Sequence, residues 1–226
     1  MQELTLVQKL AALVLPLIFA ITVHEAAHGW VADRLGDKTA RMLGRITLNP
    51  LKHIDWLGTI IVPLAMFALT GFLFGWAKPV PVNPRNLHNP RRDMAIVAAA
   101  GPGVNLVMAL IWSLLALLGT ALLRSLPEVA LPLVFMSAAG VFINVILMAL
   151  NLLPLPPLDG GRVVTGLLPL DWARKYARIE PYGLPILVVL LVTGLLGWFV
   201  WPLVQTTIDL LPASNLVLNL FPLLVQ

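Results

Sequence analysis

The chain reads as an all-α polytopic membrane protein, and three observations carry that expectation. Hydrophobic residues make up 59% of its 226 positions and charged residues only 12%, with a mean hydropathy of +0.90, far more apolar than a soluble globular domain. Several uncharged runs reach the ~20 residues that a helix needs to cross the hydrocarbon core. Polar residues collect in the connectors between those runs, apart from one compact motif. About five to six transmembrane helices are expected from these lengths, forming a single intramembrane domain over residues 1–226 with a re-entrant element between the first and the next full span.

The first run covers residues 10–32. Met1 to Lys9 is short and no small-residue cleavage site precedes the motif, so this run is expected to stay as a helix rather than act as a signal peptide. Near its end stands His24-Glu25-Ala26-Ala27-His28. A carboxylate and two imidazoles at bilayer depth are costly, and mark a functional site by default. His24 and His28 are at i and i+4, on one helical face, so both rings can reach one metal ion while Glu25 stands beside it.

A polar connector, 36–55, leads to the apolar segment 56–76, which Pro63 and a glycine-rich end interrupt. It is expected to be re-entrant or a short span. In the next connector, Lys78-Pro79-Val80-Pro81-Val82-Asn83-Pro84 must be extended, because repeated prolines forbid helix there and before them. Runs at 94–123 and 129–153 are long enough to span. The second ends in Asn151-Leu152-Leu153-Pro154-Leu155-Pro156-Pro157-Leu158-Asp159-Gly160-Gly161, where three prolines stop the helix and two glycines permit a tight loop. A further span is expected at 184–204. Residues 210–225, with Pro212, Asn215, Asn219 and Pro222, should be interfacial or a short span.

The basic residues test the topology of 56–76. If that segment crosses fully, the fifteen Lys and Arg divide six against nine, which is little asymmetry. If it returns to the side it entered from, thirteen fall on one side and only Lys9 and Arg124 on the other. Cytoplasmic loops carry the Lys/Arg excess, so the re-entrant topology is expected, with the N-terminus outside. Under it the first run and 129–153 are parallel, and His28 and Asp159 lie at the same face. The net charge of +4 then reflects orientation signals and does not imply nucleic acid.

The chain contains no cysteine, so metal ligands must come from His, Asp or Glu. Two histidines leave a site incomplete, and Asp159, the acid at a span end with the most constrained loop, is the candidate third ligand. Taken in order, the His24–His28 motif, Ala100-Gly101-Pro102-Gly103-Val104-Asn105 and the Asn151–Gly161 segment resemble the site-2 protease family (peptidase M50) of intramembrane zinc metalloproteases. Leu43-Gly44-Arg45-Ile46-Thr47-Leu48-Asn49-Pro50 with His53-Ile54-Asp55, and Gly75 to Asn83, resemble its compact bacterial and archaeal branch, which lacks a PDZ domain.

The resemblance implies one zinc ion per chain held by His24, His28 and Asp159, with Glu25 activating water for peptide hydrolysis. It implies a substrate contact or oxyanion role for Asn151 and Asn105. The expected substrate is a transmembrane segment of another protein, unwound for cleavage, with membrane lipid as surroundings and homo-oligomers left open. The extended 79–84 segment is a candidate edge for adding the unwound chain as a strand. The enzyme should be a multi-pass protein of the cell membrane with its site open to the cytoplasm. An intramembrane metal-ion transporter and a proteolytically inactive scaffolding homologue are the alternatives. His53 and His88 carry no predicted metal role, and Arg45 matches only the branch's connector pattern.

Overall fold

The computed structural model of the chain describes residues 5–62, 64–65 and 75–225. Helix α1, Leu6–Arg34, opens with a capping box in which the Thr5 side chain accepts from Gln8 N and the Gln8 side chain accepts from Thr5 N, satisfying two otherwise orphaned donors. A single turn, α2 (Thr39–Met42), follows. Two long helices come next, α3 (Pro90–Leu122) and α4 (Pro127–Asn151). Together with α1 they are long and apolar enough to cross a membrane. Shorter helices complete the chain: α5 (Asp159–Leu167), α6 (Leu170–Ala177), α7 (Glu180–Val192), α8 (Leu195–Asp209) and α9 (Ser214–Val225).

Helix α3 begins four residues before the apolar run predicts. Pro90 suits the first turn, where no N–H is needed, and the Asp93 carboxylate accepts from Asn89 N at 2.7 Å, so the charged triplet Arg91-Arg92-Asp93 belongs to the helix start. The expected span 184–204 falls on a bent pair. It is two helices, α7 and α8, bent by 84° at a break between Val192 and Leu195. Gly194 there has φ +77°, a left-handed conformation that glycine adopts without a Cβ penalty. Hydropathy reads through such a break, because it registers apolarity and not direction.

Small residues set how the long helices meet. Ala109, Ala116, Ala138, Ala139 and Ala149 are all at most 1% exposed, which allows the close backbone approach typical of membrane helix packing. A Cβ on Gly140 of α4 would lie 2.5 Å from the Trp112 ring of α3, so the indole seats on a backbone that only glycine leaves open. Helix α1 runs antiparallel to α3, pairing its Ala32 end with Val97 and His24 with Asn105. It runs parallel to α4, with Ala12 beside Ala139 and His28 beside Asp159 just past the α4 end. Helix α9 closes the bundle, its Phe221 stacked on Phe142 of α4 at 3.8 Å between ring centroids.

Much of the segment 56–76 lies outside the described residues, but its two ends are described and meet. Trp76 N donates to Gly58 O at 2.9 Å, Thr59 Oγ1 donates to Trp76 O at 3.0 Å, and Lys78 N donates to His53 O at 2.9 Å. The extended connector that follows then passes along the outside of α1. At its far end Asn83 N and Asn86 Nδ2 donate to the two oxygens of Asp37 at 2.6 and 2.9 Å.

Candidate metal centre

Two elements converge on one buried point. Helix α1 supplies His24 and His28 from one face, as the i,i+4 spacing requires, and the first turn of α5 supplies Asp159. Nε2 of His24 and of His28 are 3.1 Å apart, and both face Asp159 Oδ2, at 3.1 and 3.3 Å. All three residues are at most 9% exposed. Among the described residues this is the one group of three such side chains whose donor atoms meet so closely.

The other ring nitrogens fix what those atoms can do. His28 Nδ1 lies 2.8 Å from Val97 O, and a carbonyl can only accept, so Nδ1 carries the proton. His24 Nδ1 lies 2.6 Å from Asn105 Oδ1 and donates likewise. In the neutral rings both Nε2 atoms then present lone pairs, aimed at Asp159 Oδ2. Three lone pairs facing one another in a buried site repel unless a cation lies between them. A tetrahedral zinc with bonds of about 2.0–2.1 Å holds its ligand atoms roughly 3.3–3.4 Å apart, close to the distances found, so this donor set fits zinc without rearrangement.

Backbone packing puts the ligands where they are. A Cβ on Gly101 of α3 would lie 2.5 Å from His24 Cε1 and from His28 Nε2, so α3 passes the imidazoles at a position that only glycine leaves open. The two glycines after Asp159 have the same logic. A Cβ on Gly160 would lie 2.3 Å from Leu152 O and one on Gly161 2.4 Å from Pro156 N. Their absence lets α5 fold straight back onto the proline loop. Tyr176 Oη donates to Pro154 O at 2.6 Å and steadies that loop from α6.

The expected asparagines part company. Asn105 is fully buried, with its oxygen committed to His24 and its Nδ2 donating to Asn144 Oδ1 at 3.0 Å. Asn144 Nδ2 in turn donates to Gly140 O at 2.8 Å. This chain of hydrogen bonds orients the His24 ring, and partners of this kind tune metal ligands generally. Sequence reasoning missed Asn144, because it stands alone in an apolar run with no motif around it. Asn151 is half-buried, and its Nδ2 donates to Leu147 O of its own helix at 2.9 Å, which leaves one amide hydrogen and the oxygen unspent.

Glu25 points to the connector. Its Oε2 accepts from Val80 N at 2.8 Å, so the residue beside the two imidazoles is tied to the extended segment. Arg45 Nη2 donates to the carbonyls of Lys78 and Pro79, at 2.9 and 3.3 Å. Asp37, fully buried at the other end, has a pKa below the ordinary carboxylate value. Burial pushes it up, but hydrogen bonds from Thr39, Asn86 and the Asn83 amide outweigh that.

The comparisons with known proteins point to zinc metalloproteases. The model of "Peptidase family M50" matches residues 12–138 and 126–194. YwhC of Bacillus subtilis, named as a zinc metalloprotease, is 40% identical over 198 residues, covering 87% of this chain and 87% of its own. Rip2 of Mycolicibacterium smegmatis, named in the same way, is 31% identical over 203 residues, 89% of this chain and 74% of its own. No solved structure matches the chain.

Proposed function

Because the chain belongs to peptidase family M50 and so to the zinc metalloproteases, we propose that it is an intramembrane endopeptidase that cuts within or beside transmembrane segments of other membrane proteins. The observation that carries this is the convergence of His24 Nε2, His28 Nε2 and Asp159 Oδ2 within 3.1–3.3 Å, with both histidines on a helix apolar enough to span. His24, His28 and Asp159 would hold one zinc ion. When bound, zinc supplies a Lewis acid that polarises the scissile carbonyl and makes a water molecule acidic near neutral pH.

The rest is done by this chain's side chains. Glu25, on the same helix face region as the two histidines, takes the proton from the attacking water and returns it to the leaving amine. Its carboxylate is oriented by the Val80 amide. The spare amide hydrogen of Asn151 is available to a developing oxyanion, as polar donors elsewhere are. Asn105 and Asn144 hold the His24 ring and its tautomer.

The hydrogen bonds between Gly58 and Trp76 support a re-entrant 56–76 segment, since ends in contact cannot sit on opposite faces of a ~30 Å hydrocarbon layer. With the basic residues of the connectors placed in the cytoplasm, the site opens to that side of the cell membrane. Glu25→Ala tests the function directly. It should keep stoichiometric zinc and lose cleavage of a reconstituted transmembrane helix; full retention of cleavage would sink the proposal, and so would metal transport that survives the substitution.

A further inference from the structure

Arg45 is 9% exposed, yet among the described residues it meets no carboxylate within ion-pair distance. Burying an unpaired guanidinium is expensive, so its use on two main-chain carbonyls calls for a reason that a neutral loop contact would not. Those carbonyls belong to Lys78 and Pro79, the two residues immediately before the amide that meets Glu25.

We infer that Arg45 is a positioning residue for Glu25, acting through the Lys78-Pro79-Val80 backbone. The segment is stiff enough to transmit position. Prolines at 79 and 81 restrict φ and the residues before them, Lys78 N is tied to His53 O, and Asn83 N to Asp37. Val80 itself is buried against α1, where a Cβ on Gly29 would lie 3.0 Å from Val80 Cγ1. Nη2 of Arg45, bonded to both preceding carbonyls, therefore sets where the Val80 N–H stands, and the N–H sets where the Glu25 carboxylate stands. A proton-transferring group displaced by about an ångström loses rate steeply while binding is little changed.

This inference rests on the assignment of Glu25 as the water-activating group. The test uses the full-length protein reconstituted in phospholipid vesicles, loaded with zinc, and a fluorescent transmembrane-helix peptide that the wild type cleaves. For Arg45→Lys, which keeps the charge but shortens the reach to the two carbonyls, and for Val80→Pro, which removes the amide hydrogen, kcat per bound zinc should fall tenfold or more, with KM within twofold and zinc content unchanged. The double variant should lose no more than the larger single loss, as two residues acting on one contact do. A wild-type kcat per zinc in either single variant overturns the inference, and so do losses that multiply in the double variant or merely follow zinc content. Glu25→Gln separates the two claims: if it cleaves normally the assignment of Glu25 fails, whereas if it is inactive and Arg45→Lys is not impaired, only the role of Arg45 fails.

Discussion

Asn105 presents its amide oxygen to His24 Nδ1 at 2.6 Å, and it can do so because its nitrogen is spent on Asn144. The direction of that amide determines which imidazole nitrogen is left to bind a metal. Asn144→Leu removes the acceptor that holds the amide and leaves a buried N–H unsatisfied. Zinc affinity, measured by competition with a chromogenic chelator, should fall about 10–100-fold. An affinity equal to wild type would show that the relay does not matter.

Gly101→Ala should abolish zinc binding, because the added methyl would meet both imidazoles at 2.5 Å and they cannot retreat without leaving the site. Gly103→Ala, two residues on, meets nothing within 4 Å and should stabilise by roughly 0.5–1 kcal/mol through helix propensity. The contrast is read from zinc stoichiometry and thermal unfolding of the two purified variants.

Asp37 couples the connector to pH. Its folded-state pKa is depressed, so its contribution is complete above the unfolded value of about 3.9 and is lost as the pH falls through the lower folded value. Asp37→Asn should therefore lower stability at pH 7 by about 1.5–3 kcal/mol, the range for hydrogen bonds to a charged group. The gap to wild type should close below about pH 4. Thermal unfolding from pH 3 to 7 measures both, and a gap that persists unchanged at pH 3 counts against the carboxylate as its source.

The topology can be checked at three positions. The chain has no cysteine, so Asn83→Cys and Arg124→Cys give clean single labels. An impermeant maleimide added to intact cells should modify position 124 and leave position 83 unlabelled until the membrane is opened. Labelling of both from one side would refute the crossing by α3 between them, and a Lys52→Cys label on the opposite side from position 83 would refute a re-entrant 56–76 segment.

The sequence exposed the donor set because its information is local. An i,i+4 pair in an apolar run needs only helical geometry, and Asp159 is marked by the prolines before it and the glycines after it. What escaped depends on contacts between distant segments. Asn144 is one polar residue in a hydrophobic span, and nothing nearby says that it meets Asn105 rather than lipid. The bond from Val80 to Glu25 joins residues 55 apart in sequence. The bend at Gly194 is invisible to hydropathy, since one glycine in an apolar stretch reads equally well as packing.

Asp159 reaches the two imidazoles only from the far side of α4, 131 residues after His28. No nascent chain shorter than that carries the full donor set. While the first three long helices enter the bilayer, the growing polypeptide thus holds a histidine pair and an acid but no complete hydrolytic centre.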